Sequence, residues 1–173
     1  MNIVFLDVDG VLNSYAYFKS TEFKNKQATN ACNDIDESTL PILKRIVEEN
    51  NAHIVLTSTW RELEELLDIV SQTMYKYLTD MLAKYDLKIM SKTPILNFNR
   101  PLEIKMWLKE QENCEEINWI SLDDDFAEEH YRAYGLEGHL VHTCFRGKDC
   151  TESGLQEKHV AIARELFEKQ KKC

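Results

Sequence analysis

Apolar and polar positions alternate along the chain between two textures. Short, nearly continuous apolar runs fall at about 2–6, 53–57, 87–91, 117–122 and 139–143, which is how strands buried on both faces read. Stretches with apolar residues three or four apart lie between them, as expected of helices that cover one side of a sheet. A helix at about 38–50 presents Leu40, Leu43 and Val47, with Asp36 and Ser38 as caps and Pro41 in its first turn. A long helix at about 61–84 aligns Leu63, Leu66, Leu67 and Val70, and one at about 101–112 aligns Ile104, Trp107 and Leu108 behind Pro101. A short helix at 126–134 and a last helix after Gly154, with Leu155, Ile162, Ala163, Leu166 and Phe167, complete the pattern. All these apolar positions are expected in the core, as are Trp60, Trp107 and Trp119. Strand and helix in strict alternation predict βαβ units and a five-stranded parallel sheet in one domain spanning 1–173.

One segment breaks the pattern. Residues 14–34 are polar and aromatic (Tyr15, Tyr17, Phe18, Phe23), with Lys19, Lys24 and Lys26 against the single Glu22. A loop of this length in a compact domain is usually functional or disordered, and here it predicts a mobile flap over a site.

Composition narrows the class. A hydrophobic content of 43% with 29% charged residues is that of an ordinary soluble globule. No run is long enough to span a bilayer, and Asp7 interrupts the N-terminal apolar stretch, so a cytoplasmic protein without a membrane partner is expected. Five scattered cysteines (Cys32, Cys114, Cys144, Cys150, Cys173) form no CxxC pair and read as reduced thiols. His139 and His142 read as packing or surface residues rather than metal ligands. A net charge of −9 argues against tight nonspecific binding to nucleic acid.

Chemistry concentrates where the strands end. The first run stops at Asp7-Val8-Asp9-Gly10, the second at Thr57-Ser58-Thr59-Trp60-Arg61 and the fourth at Asp123-Asp124-Asp125, while the third leads to Arg100-Pro101 with Lys105 a turn later. Taken singly, these are an acidic turn, a helix cap, a solvated helix start and surface cations, with Arg61 a surface residue or a phosphate contact. In a parallel sheet, however, strand ends share one rim, so the groups converge. Paired carboxylates at the end of a buried strand need a cation or an electrophile between them. A carboxylate nucleophile, a second acid to move protons, hard oxygen ligands for Mg²⁺ and donors for phosphoryl oxygens together suit phosphoester chemistry.

In motif content and order the set resembles the haloacid dehalogenase superfamily of aspartate-nucleophile phosphohydrolases over nearly the whole chain. The resemblance implies a Rossmann-like α/β/α sandwich with minimal or no cap. It implies Asp7 as nucleophile, Asp9 as general acid/base, and Gly10, Thr57 and Ser58 as phosphate-binding groups. Arg100, with Lys105 as the alternative, takes the place of the usual basic residue. Mg²⁺ would be held by Asp7, Asp9, Asp123 and Asp124. The expected activity is a Mg²⁺-dependent phosphomonoesterase that forms an aspartyl-phosphate, with a small phosphorylated molecule or a nucleic-acid end as substrate. Two other readings of the same pattern are a receiver-like phosphoacceptor domain and an inactive binding module.

Overall fold

The computed structural model describes residues 1–28, 32–147 and 152–171. Five parallel strands form one sheet: β1 (Asn2–Leu6), β2 (Ala52–Leu56), β3 (Ile89–Lys92), β4 (Asn118–Asp123) and β5 (Leu140–His142), in the order β3-β2-β1-β4-β5. All five expected strands are present within one or two residues of their predicted bounds. The first strand is central because it carries the purest apolar run. Its residues alternate between two cores, Val4 and Leu6 on one face and Ile3 and Phe5 on the other, all fully buried.

Helices cover both faces. On the Val4 side lie α3 (Leu40–Glu49), α4 (Ile69–Ala83) and α7 (Glu157–Gln170), contributing Leu43, Leu78 and Phe167 among others. Arg45–Glu157 and Arg164–Glu49 ion pairs tie α3 to α7 across the surface. On the Phe5 side lie α5 (Arg100–Lys109) and α6 (Glu128–Arg132), with Ile104, Trp107 and Tyr131. Trp107 and Trp119 both pack edge-on against Phe5, with centroids 5.3 and 5.6 Å away. This is the expected Rossmann-like three-layer sandwich. His139 stacks on Trp119 at 3.9 Å, a packing role as anticipated.

Two expectations fail, each for a visible reason. The predicted 61–84 helix is interrupted: a short 3-10 turn, Thr59–Glu62, is followed by irregular backbone, and α4 begins only at Ile69. Asp68 starts it by accepting the Ser71 N–H at 2.9 Å. Leu66, Leu67 and Val70, expected in the core, are 47%, 94% and 68% exposed, and Ile162 is also exposed. The second failure concerns the loop conformation expected for 14–34, since the segment holds two short helices, α1 (Tyr15–Lys19) and α2 (Thr21–Gln27). Ser14 and Ser20 cap them through the N–H groups of Tyr17 and Phe23. Tyr17, Phe18 and Phe23 pack on one another, and Phe18 also meets Phe145 in the loop after β5. Lys26 pairs with Glu22. Residues 29–31 of this segment lie outside the described residues.

Cys32, Cys114 and Cys144 are free thiols, and Cys150 and Cys173 lie outside the described residues. Among the described residues no helix is long and apolar enough to cross a membrane.

Candidate active site

The strand register builds the site. Leu6 is level with Leu56 on one side and Leu122 on the other. The ladder runs one residue further: Asp7 N–H donates to Leu122 O and Thr57 N–H to Leu6 O, at 3.1 and 2.9 Å. Thr93 N–H bonds Leu56 O and Thr143 N–H bonds Asp123 O. Asp7, Thr57, Thr93 and Asp123 therefore stand side by side along the C-terminal rim of the sheet.

Arg100 closes one side of this row. It stands first in α5, with Pro101 behind it and Asn99 capping the helix through the Leu102 N–H. Its Nη1 lies 2.9 Å from Asp7 Oδ2 and 2.8 Å from Asp123 Oδ2, and all three side chains are buried. Burial works against the guanidinium charge, but Asp7 and Asp123 overcome it and raise its pKa. Lys105 is elsewhere. Its Nζ donates to the Tyr134 carbonyl at 2.6 Å, away from the carboxylates. Of the two basic residues foreseen, only Arg100 joins the site.

The aspartates divide by direction. Asp123 is fully buried and its Oδ1 accepts the N–H groups of Asp125 and Phe126, while Oδ2 takes Arg100 and the Tyr131 hydroxyl. Burial pushes its pKa up to about 6, and nearby Asp7 pushes the same way. Asp124 turns over Gly10: a β-carbon on that glycine, at φ +69°, would sit 2.0 Å from the Asp124 Cγ. The glycine is required there for room as well as for its backbone angle. Oxygens of Asp7, Asp124 and Asp125 lie within 4.8 Å of one another, a spacing that three ligands of one cation can share. Burial first, and then the neighbouring carboxylates of Asp125, Asp7 and Asp123, push Asp124 up to about 7. The hard oxygen set and the crowding both fit Mg²⁺.

The predicted ligand set of Asp7, Asp9, Asp123 and Asp124 therefore differs from the observed grouping. Asp125 stands in the group of carboxylates and Asp123 does not, its oxygens bonding Arg100, the Tyr131 hydroxyl and backbone amides. Asp9 is exposed and also stands outside the group. Its Oδ1 accepts from Asn13 Nδ2 at 2.8 Å and its Oδ2 from Trp60 Nε1 at 3.0 Å. Trp60 is thus buried as expected but also grips the second acid of the motif, which nothing in its sequence context signalled.

Other expected donors are partly occupied. The Gly10 N–H donates to Asn13 Oδ1 at 3.0 Å instead of facing the rim. Thr57 Oγ1 accepts from Thr93 Oγ1 at 3.1 Å, which leaves its own proton to donate. Thr93 had no signal beyond its place two residues past the third apolar run. Ser58 is buried and serves as the cap of the turn that holds Trp60.

Arg61 is not the surface residue that one of its two expected settings would make it. It is 2% exposed, paired with the equally buried Glu103 at 2.9 Å, and its Nη1 donates to the Thr57 and Ser58 carbonyls. Glu103 Oε1 in turn accepts the Leu96 N–H at 2.9 Å. This buried pair clamps the ends of β2 and β3 and the start of α5 together, which fixes the frame around Thr57 and Arg100. Breaking such a pair by removing one partner costs about 3–5 kcal/mol.

Comparison with known families matches residues 3–160 to the family described as "HAD domain in Swiss Army Knife RNA repair proteins". Among curated proteins no match to the chain is found. With nearly the whole chain covered, the protein belongs to this family of HAD domains, within the haloacid dehalogenase superfamily.

Proposed function

We propose that this protein is a Mg²⁺-dependent phosphomonoesterase that removes a phosphate from an RNA end through an aspartyl-phosphate on Asp7. The observation that carries the reading is the buried Asp7 at the end of the central strand. One of its oxygens is in reach of Arg100, and it shares the carboxylate group with Asp124 and Asp125. Family membership points to phosphatase-type chemistry, and the family's place in RNA repair proteins supports an RNA end as substrate.

In this reading the Asp7 carboxylate attacks phosphorus and the ester P–O bond breaks. Asp9 gives its proton to the leaving oxygen. Water then attacks the aspartyl-phosphate, Asp9 takes a proton from it, and inorganic phosphate leaves with Asp7 restored. Asp9 suits this shuttling role because it is exposed at the mouth of the site and oriented by Trp60 and Asn13. Arg100 and the Thr57 hydroxyl hold phosphoryl oxygens as charge spreads onto them. Asp7, Asp124 and Asp125 would hold Mg²⁺, whose positive charge would let a carboxylate approach a phosphate dianion.

The insert between β1 and β2 supports an open site, since its described residues add two short helices, α1 and α2, and a 3-10 turn (Glu37–Thr39) before α3, and an open site admits a polynucleotide end. A net charge of −9 favours recognition of an end over broad backbone binding. We read residues 1–173 as one such domain acting in the cytoplasm, consistent with the free thiols.

The test is phosphate release with Mg²⁺ from 3′- and 5′-phosphorylated RNA oligonucleotides, mononucleotides, sugar phosphates and phosphopeptides. The reading expects the highest kcat/KM on one of the RNA ends. Preference for a phosphopeptide or a sugar phosphate would overturn the substrate assignment.

A further inference from the structure

We propose that a cavity beside the carboxylates receives the base of the nucleoside that carries the scissile phosphate, stacked on Phe98. This inference rests on the phosphomonoesterase reading above. The cavity has a volume of about 280 Å³ and is lined by Arg61, Phe98, Arg100, Asp125 and Phe126 among others. Arg100 also pairs with Asp7, and Asp125 belongs to the carboxylate group, so the cavity opens onto the place where phosphorus would sit. Its size is at the small end of ligand pockets and fits one ring system rather than a length of chain.

Phe98 is the unusual residue. The residue is 62% exposed, and its backbone is left-handed at φ +58°, next to Asn97 at φ +53°. A bulky aromatic rarely adopts that conformation, and burial does not compensate it here. The turn is held regardless. Asn99 N–H closes it on Leu96 O at 3.0 Å, Glu103 binds the Leu96 N–H, and Asn99 Nδ2 donates to the Tyr134 hydroxyl at 2.7 Å. Glu103 is itself fixed by Arg61, which also holds the Thr57 carbonyl. The chain thus spends a strained turn and a buried ion pair on presenting one apolar ring to solvent beside the site. Backbone strain at such a position marks a functional clamp.

Phe126 provides a second aromatic wall, with the Arg100 guanidinium 5.8 Å from its ring centroid. Aromatic and guanidinium faces together suit a planar heterocycle, whatever its identity, because every base offers a π-face.

The experiment compares kcat/KM on two phosphorylated RNA oligonucleotides that differ only at the terminal nucleotide, one with its base and one abasic. Wild type is expected to prefer the base-bearing end by roughly tenfold. Phe98→Ala should reduce the preference to about twofold or less, and Phe98→Trp should keep it. No preference in wild type, or a preference unchanged in Phe98→Ala, overturns the inference and leaves the phosphatase reading standing. If wild type releases phosphate from no substrate, that reading fails by itself. Equilibrium binding of a nucleoside monophosphate then decides the cavity: a roughly tenfold loss in Phe98→Ala upholds it, and equal affinity overturns it.

Discussion

Gly10→Ala separates the two reasons for a glycine in the nucleophile motif. An alanine there must adopt φ +69°, and its β-carbon would meet the Asp124 carboxyl at 2.0 Å. The backbone term is about 1–2 kcal/mol. The obstacle is the end of a short side chain, so relief comes by rotating Asp124 away from Asp7 and Asp125 at little cost to the fold. Gly135 provides the control, since its φ is +70° but a β-carbon there meets nothing within 4 Å. Both variants should therefore lose about 1–2 kcal/mol, a fall in Tm of roughly 2–8 °C for a chain of this size. They should differ in their response to Mg²⁺. At a concentration a hundred times the wild-type Kd, Mg²⁺ should stabilise wild type and Gly135→Ala by about 2.7 kcal/mol. If displacing Asp124 weakens binding tenfold, that gain falls to about 1.4 kcal/mol in Gly10→Ala. Thermal melts followed by circular dichroism, with and without Mg²⁺, read both quantities. Equal Mg²⁺ stabilisation in the two variants would refute the placement of Asp124 as a ligand above Gly10.

Two further outcomes follow from single contacts. Trp60→Phe removes the Nε1 donor to Asp9 while keeping an aromatic ring, and kcat for an aryl phosphate should fall about fivefold with KM little changed, from the loss of about 1 kcal/mol of hydrogen bonding. An unchanged kcat would remove Trp60 as the residue that positions the acid. The second concerns His159, which is buried and held down to about 4, first by burial and then by Lys158 and His142, while its Nδ1 accepts the Gln156 N–H. Its folded pKa lies below the unfolded value of 6.5, so the unfolded chain binds more protons between about pH 4 and 6.5. Stability from this residue is fully present above pH 6.5 and is lost as pH falls towards 4, by about 3 kcal/mol in all. Urea titrations across that range should show a steeper slope for wild type than for His159→Gln, and parallel slopes would contradict the assignment.

How much of this was legible depended on the kind of signal. The apolar run at Ile3–Leu6 and those around Val55 and Ile120 marked the strands of a parallel sheet whose ends share one rim, and the register then brings Asp7, Thr57 and Asp123 to one level. Arg100 was recoverable because Pro101 marks a helix start at that same rim. The ligand set was harder, because three consecutive aspartates alternate in direction. Which one turns inward depends on Arg100 and two amides capturing Asp123 and on the empty space above Gly10, and both are tertiary facts. The 61–84 helix misled for a similar reason. Leucine spacing there matches a helix, yet Arg61 is drawn into the interior by Glu103 and Asp68 restarts the helix further on, leaving Leu67 in solvent. The Trp60–Asp9 contact spans 51 positions and has no local trace in the sequence.

The central claim is that Asp7 is the nucleophile, and it is tested most directly by Asp7→Asn under single-turnover conditions with Mg²⁺ and a phosphorylated RNA oligonucleotide. The asparagine keeps the shape of the side chain but cannot form the acyl phosphate, so phosphate release should fall more than about a hundredfold, as expected for loss of a covalent step. Release at more than about a hundredth of the wild-type rate, from a variant whose circular dichroism is unchanged, would contradict it.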